Sequence, residues 1–149
     1  LRFLDIYDSC LLNETSFYEN VLDSLEKLKQ MNFTLAICSN KPELLTKRII
    51  KGLNATNYFK TITGGDSFHY RKPDPRHLEK TILQSEKKIE QAIMIGDSQN
   101  DILCANALNI PSIVVSFGYS KMPVKDLNAS IIMNNYIDLI SHIQEINNI

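Results

Sequence analysis

The stretch AIMIGDSQND, residues 92–101, constrains the fold more than any other part of the chain. Four apolar residues, Ala92, Ile93, Met94 and Ile95, read as a short buried strand. The chain then turns at Gly96 and presents two carboxylates, Asp97 and Asp101, beside a new helix. A carboxylate at the carboxyl edge of a parallel sheet stands where open α/β proteins place ligand-binding groups. The spacing of four sets Asp101 about one helical turn beyond Asp97, so both acids can face one small cation, and oxygen-only donors suit Mg²⁺. The same pair also fits a purely structural role, with Asp97 capping the helix and Asp101 in its dipole-favoured first turn.

The rest of the chain repeats the pattern of short apolar run, polar end and amphipathic helix. Phe3, Leu4, Tyr7, Cys10 and Leu11 predict a short helix over residues 2–12. Val21, Leu22, Leu25 and Leu28 predict a second over residues 17–30, stopped by Asn32, a residue that tolerates the left-handed conformation of a helix end. FTLAIC, residues 33–38, is a strand buried on both faces, ending in Ser39, Asn40 and Lys41. A helix over residues 42–51 starts with proline in its first turn, and a strand over residues 60–63 leads into Gly64-Gly65-Asp66. SFHYRKPDP, residues 67–75, is a loop whose two prolines hold Arg71 and Lys72 in a stiff frame. Helices over residues 76–84 and 101–108, the latter stopped by Asn109, flank the strand at 92–95. SIVVS at 112–116, a weak strand at 130–133 and a helix with Ile137, Ile140, Ile143 and Ile146 on one face complete the chain. Alternating strands and helices without repeats argue for an α/β fold, a parallel sheet with helices on both faces.

Composition narrows the partners. In 149 residues, 44% hydrophobic, there is material for one domain with its own core. Sixteen basic against seventeen acidic residues, without a dense Lys/Arg run, give no electrostatic support for a nucleic-acid or membrane-surface partner. Cys10, Cys38 and Cys104 are too few and scattered for a disulfide framework, and are expected to be reduced thiols of a cytoplasmic protein. No apolar run has membrane-spanning length, and the first residues lack a signal-peptide pattern. The first residue is Leu1, so the natural start is expected further upstream.

Three polar groups now fall at strand ends or the loops that follow: Ser39 with Asn40, Lys72, and Asp97 with Asp101. A hydroxyl and a backbone N–H for a phosphoryl oxygen, an ammonium for its charge and carboxylates for Mg²⁺ are what phosphoryl transfer requires. Taken singly, Ser39 could be a helix cap and Lys72 a solvated lysine. His69, His77 and His142 show no metal-ligand spacing; His69 lies near Lys72, while Tyr119 and Cys38 read as packing residues.

The order of apolar run-Ser-Asn, Arg-Lys-Pro-Asp-Pro and apolar run-Gly-Asp-Ser-x-x-Asp resembles motifs II, III and IV of the haloacid dehalogenase (HAD) superfamily. SNKPE at 39–43, GGDSFHYRKPDP at 64–75, GDSQND at 96–101 and FGYS at 117–120 resemble the phosphoglycolate phosphatases among them. The resemblance implies a Rossmannoid three-layer fold. It further implies that Ser39 and the Asn40 backbone bind the transferring phosphoryl group and that Lys72 neutralises charge between nucleophile and phosphate. Asp97 would ligate Mg²⁺ directly, and Asp101 directly or through water. The expected activity is Mg²⁺-dependent hydrolysis of a small phosphorylated metabolite through an aspartyl phosphate. The alternatives are a non-catalytic phosphate- or Mg²⁺-binding or assembly protein of the same fold, or a phosphomutase of the β-phosphoglucomutase type.

The family's first motif, Asp-x-Asp-x-Thr/Ser, is not found. LDIYDS at 4–9 has Asp5 and Ser9 at the right spacing, but Tyr7 stands where the second acid belongs. Either Asp5 is a degenerate nucleophile on a strand at residues 2–5, or residues 1–13 are the remnant of a helical cap and residues 14–149 the core domain. The second reading is favoured, since Tyr7 cannot serve as general acid and base. It makes the chain N-terminally truncated, without the central nucleophile strand and most of the cap, and inactive alone. The strands ending at Ser39 and Asp97 would then have unpaired buried edges. Three outcomes are open: a further N-terminal segment fills the gap, the two strands close on one another, or a homodimer fills it by strand swapping.

Overall fold

A computed structural model describes residues 16–118 and 120–148. The expected helix at 2–12, the cap remnant at 1–13, Asp5, Cys10 and Tyr119 lie outside the described residues. In chain order the elements are α1 (Val21–Gln30), β1 (Leu35–Cys38), α2 (Glu43–Gly52), β2 (Phe59–Thr63), α3 (Pro75–Gln84), β3 (Met94–Gly96), α4 (Gln99–Ala107), β4 (Ser112–Val115), β5 (Ile131–Met133) and α5 (Leu139–Asn147). Every strand pairing is parallel: β1 with β2, β3 with β4, and β4 with β5.

The apolar runs are continuous because each strand is covered on both faces, and successive side chains divide between two cores. Leu35, Ile37, Ile93, Ile95, Ile113 and Val115 pack with Val21, Leu25 and Leu28 of α1 and Leu139 and Ile143 of α5. Cys38 and Met94 point the other way, into Leu78 and Ile82 of α3 and Cys104 and Ala105 of α4. Val114 meets Ile102 of α4 on that same side. The result is the three-layer α/β arrangement expected from the pattern.

The sheet is interrupted where the missing-strand reading places the interruption. Among the described residues β1–β2 and β3–β4–β5 form two separate sheets. Between them lies a cavity of about 180 Å³, lined by Leu35 and Ala36 of β1, Ile93 and Ile95 around β3, Leu28 and Ile143 on one side and Ile82 on the other. Backbone direction shows why this is an open strand edge. The Ser39 N–H bonds Thr63 on β2 at 3.0 Å, so the alternate residues Ala36 and Cys38 turn their peptide groups towards the slot. The Met94 N–H bonds Pro111 at 3.0 Å, beside β4, so those of Ile93 and Ile95 turn towards it from the opposite wall. β1 and β3 have not closed on one another.

The helices share one way of ending. Asn32, Asn54, Glu86, Asn109 and Asn148 follow α1 to α5, and all have positive φ, between 55° and 63°. After α1 the Phe33 and Asn32 N–H groups bond the Leu28 and Lys29 carbonyls, and the pattern repeats after α2, α3 and α4, for instance with Ala55 to Ile50 and Ile110 to Ala105. This is the Schellman closure, in which a left-handed residue satisfies the last carbonyls of a helix. The Asn32 and Asn109 stops are thus as expected. Glu86 is the departure, since a left-handed Glu has neither glycine's freedom nor asparagine's short polar side chain. Its exposed ion pair with Lys60 contributes little in compensation. Glu86→Asn is expected to raise the Tm by roughly 2 °C in a thermal melt, the shift produced by somewhat under 1 kcal/mol in a chain of this size.

Several boundaries differ from the sequence reading for local reasons. α1 starts at Val21, not at residue 17, because Asn20 has φ 67° and cannot be helical. Pro42 is the N-cap of α2 rather than a residue of its first turn. Ile137 leaves the apolar face of the last helix and is exposed, because the Asn135 side chain accepts its N–H and bends residues 136–138 into a tight turn before α5. Gly96 ends β3 without positive φ; a Cβ there would lie 2.3 Å from an Asp101 carboxylate oxygen, so its smallness serves a close approach.

Candidate active site

The polar ends of β1 and β3 and the loop before α3 meet at the carboxyl edge of the sheets. Ser39 follows β1 and is buried, and its Oγ accepts the Lys41 N–H at 3.1 Å, a local turn that leads into α2. Asn40, next in the chain, donates from Nδ2 to the Lys72 carbonyl at 2.8 Å and so ties the RKPDP loop to the end of β1. The carbonyl at this contact fixes the amide's orientation, leaving Asn40 Oδ1 buried and without a hydrogen bond among the described residues.

The two glycines after β2 make this approach feasible. The Gly65 N–H donates to the Lys41 carbonyl at 2.7 Å. A Cβ on Gly65 would lie 2.2 Å from the Asn40 carbonyl oxygen, and one on Gly64 would lie 2.2 Å from the Glu43 nitrogen. The loops after β1 and β2 are therefore in backbone contact, with no room for a side chain between them.

Lys72 is 3% exposed, a depth at which an ammonium needs a charged partner. Its Nζ lies 2.5 Å from Asp101 Oδ1, and neither side chain reaches solvent appreciably. The other Asp101 oxygen accepts from the Asp97 N–H at 3.1 Å, the Ser98 N–H at 3.2 Å and the Ser98 hydroxyl at 3.2 Å. Ser98 and Asp101 together form the capping box that starts α4, so the N-cap is Ser98 and not Asp97. Asp97 is left over. Its side chain is buried, and Oδ2 has no hydrogen-bond partner among the described residues. The loop after β4 presses on it from behind, since a Cβ on Gly118 would lie 2.2 Å from Asp97 Cβ.

A buried carboxylate oxygen without a donor is costly unless something positive completes it. A hard cation with oxygen ligands meets that need, so the residues present fit Mg²⁺ at Asp97. Among the described residues no group of three His, Cys, Asp or Glu side chains is arranged to hold a metal. Asp97 therefore offers an open ligand, whereas Asp101 already serves Lys72 and the helix start.

These motifs, in this order and at the ends of parallel strands, coincide with a known family. The sequence model of the haloacid dehalogenase-like hydrolases matches residues 1–115. The chain belongs to that family. Phosphoglycolate phosphatase of Agrobacterium fabrum is 38% identical over 138 residues, 93% of this chain and 59% of the relative. That of Colwellia psychrerythraea is 42% identical over 118 residues, 79% of this chain and 52% of the relative. A crystal structure of a predicted phosphoglycolate phosphatase from Haemophilus somnus superposes with a TM-score of 0.84 at 27% identity, covering 89% of this chain and 59% of that one. The chain thus spans less than two thirds of the length of these relatives.

The structure joins Asn40, Lys72, Asp101 and Asp97 through direct contacts and places Ser39 beside Asn40 at the end of β1. It also brings in residues the sequence reading passed over. His77, which shows no metal-ligand spacing, is fully buried with Nδ1 towards the Lys72 N–H and Nε2 towards the Thr63 hydroxyl, while Thr81 bonds its carbonyl. The available signal was position: His77 is the third residue of α3, the helix that Asp74 caps at the end of the RKPDP stretch. Asp74 itself is held down to about pKa 2, chiefly by the Arg76 side chain that bonds it. His69 is exposed. Cys38 packs as an apolar residue in the α3–α4 core, and burial pushes the thiol of its neighbour Cys104 up to about 12, so Cys104 is not placed as a reactive thiolate.

Proposed function

We propose that this chain is the larger part of a HAD-type phosphomonoesterase, of the phosphoglycolate phosphatase kind, acting on a small phosphorylated metabolite with Mg²⁺. The observation that carries the reading is the buried Lys72–Asp101 ion pair, whose carboxylate also holds the backbone of Asp97, a residue with an unpartnered buried oxygen, at the carboxyl edge where Ser39 and Asn40 follow β1. Ser39 and the backbone after it would hold phosphoryl oxygens, and Lys72 would offset the charge that gathers on them in the transition state. Asp97 would hold Mg²⁺, with Asp101 orienting Lys72 and reaching the ion through water. When bound, the ion supplies Lewis-acid stabilisation of the phosphoryl oxygens.

The nucleophile would be an aspartate on a further strand, and the slot between β1 and β3 is the place for it. Its carboxylate would attack phosphorus while the second acid of the Asp-x-Asp motif gives its proton to the leaving alkoxide; water, giving a proton back to that acid, would then hydrolyse the acyl phosphate, returning the carboxylate and releasing inorganic phosphate. In this reading residues 1–13 are the end of a helical cap, residues 14–149 the core, and the missing strand comes from a longer N-terminus or from a second copy by swapping. The thiols and the absence, among the described residues, of any helix long and apolar enough to cross a membrane accord with a cytoplasmic location.

The test is Mg²⁺-dependent phosphate release from 2-phosphoglycolate and from an aryl phosphate. No turnover is expected from the 149-residue chain, and turnover is expected once a segment with an apolar strand ending in the Asp-x-Asp motif is joined upstream. Turnover by the chain alone that Asp5→Asn abolishes would overturn the truncated reading. Failure of the extended chain would favour a non-catalytic binding protein. Calorimetric titration with Mg²⁺ or Mn²⁺ checks the metal separately: Asp97→Asn is expected to weaken binding at least about tenfold, the equivalent of 1.4 kcal/mol from losing one charged ligand.

A further inference from the structure

The Lys72 backbone is held at both its N–H and its carbonyl, and one of the two partners is an imidazole. Asn40 Nδ2 holds the Lys72 carbonyl at 2.8 Å, and the Lys72 N–H points at Nδ1 of His77 at 3.3 Å. A backbone N–H can only donate, so Nδ1 must be the unprotonated nitrogen of a neutral ring. The proton then sits on Nε2, which lies 3.2 Å from the Thr63 hydroxyl and donates to it. Thr81 Oγ1 donates to the His77 carbonyl at 2.8 Å, so the 2.7 Å contact between the two threonine hydroxyls takes the one proton of Thr63, in preference to its longer 3.4 Å contact with the Ile37 carbonyl. Every hydrogen in the chain Lys72, His77, Thr63, Thr81 therefore runs in one direction. A second proton on the ring would set N–H against N–H at Lys72.

We propose that His77 is a positioning residue for Lys72: as a neutral, Nε2-protonated imidazole braced by Thr63 and Thr81, it fixes the backbone from which the Lys72 ammonium reaches Asp101. The inference rests on the phosphoryl-binding role of Lys72 proposed above. It adds a requirement to it, since an ammonium is useful to a phosphoryl group only where its stem is held, and small misplacements in such sites are costly. The ring reaches Lys72 from β2 and α3, whereas Asn40 reaches it from β1, so the two grips tie the lysine to both sides of the site.

The test begins with the parent chain and needs no variant. A long-range ¹H–¹⁵N spectrum of the imidazoles is expected to show His77 neutral with its proton on Nε2; a proton on Nδ1, or on both nitrogens, at neutral pH overturns the proposal. Amide exchange then compares His77→Leu with His77→Asn, whose Oδ1 keeps an acceptor near the position of Nδ1. Exchange at Lys72 is expected to accelerate about tenfold in His77→Leu, as for one lost hydrogen bond, with Ile82 and Leu83 unchanged, and to stay near the parent value in His77→Asn. Equal acceleration in both variants, or none in either, sinks the clamp. Titration with inorganic phosphate separates this from the reading of the site. About tenfold weaker binding in His77→Leu, restored in His77→Asn, is expected. Absence of binding by the parent chain would overturn the phosphoryl role of Lys72, whereas the ring spectrum and the exchange data judge the clamp itself.

Discussion

Replacing Lys72 by methionine is expected to destabilise the chain by about 3–5 kcal/mol, the usual cost of leaving one member of a buried ion pair alone. In a chain of this size that corresponds to a fall in Tm of about 10 °C or more. The reason is the depth of the pair: Asp101 is 0% exposed and Lys72 3%, so neither charge can recover hydration when the other is removed. Methionine keeps most of the lysine stem's volume, which confines the effect to the charge. Asp101→Asn added to Lys72→Met is expected to recover a good part of the loss. An asparagine oxygen can still accept from the Asp97 and Ser98 amides, while the Asp101 charge is no longer left buried without Lys72. Chemical denaturation of the two single variants and the double variant checks this as a cycle. A loss below about 1 kcal/mol for Lys72→Met would show a pair with the energetics of a solvated surface bridge. The expected cost does not depend on catalysis, so the same lysine can be tested for structural weight here and for phosphate binding separately.

Gly65→Ala is the second substitution with a large expected effect, about 3 kcal/mol, at the upper end of the range for forcing a methyl into a filled site. Its Cβ would stand 2.2 Å from the Asn40 oxygen and 2.9 Å from the Asn40 carbonyl carbon, both backbone atoms that cannot rotate away. The loops after β1 and β2 must then separate, breaking the Gly65 to Lys41 hydrogen bond and shifting Asn40 off the Lys72 carbonyl. Weaker binding of inorganic phosphate should accompany the loss of stability. Gly52→Ala is the control, since Gly52 is the exposed last residue of α2, where alanine is expected to be neutral or slightly stabilising. Equal stability of the two variants would mean that the loops open easily.

Much of the architecture was readable because burial on two faces leaves a local mark. The runs at 33–38, 92–95 and 112–116 could be recognised as strands without knowing their neighbours, since a strand covered on both faces is apolar along most of its length, although β3 itself lies at 94–96 and takes in Gly96. Asn32 and Asn109 marked helix ends for an equally local reason, the left-handed turn that closes a helix. Glu86 was not readable in this way, because glutamate carries no such preference and is held left-handed by the Schellman bonds after α3. The single polar residues at the strand ends pointed to a site, and the resemblance to the HAD superfamily assigned them roles. Their partners stayed out of reach: Lys72 and Asp101 are 29 residues apart, and Asn40 and Lys72 are 32 apart.

By itself the sequence determined the alternation of buried strands and amphipathic helices, the parallel class of sheet and the cluster of polar groups at its carboxyl edge, because periodicity and chain-end chemistry act over a few residues. Only the tertiary structure decided that Asp101 is occupied by Lys72 and the α4 cap while Asp97 keeps an unpartnered oxygen. It also decided that His77 is buried against Lys72, and that among the described residues a slot separates β1 from β3. Those outcomes depend on which atoms meet across the gap between elements, and hydrogen-bond geometry within 3 Å is set by packing that no local spacing records.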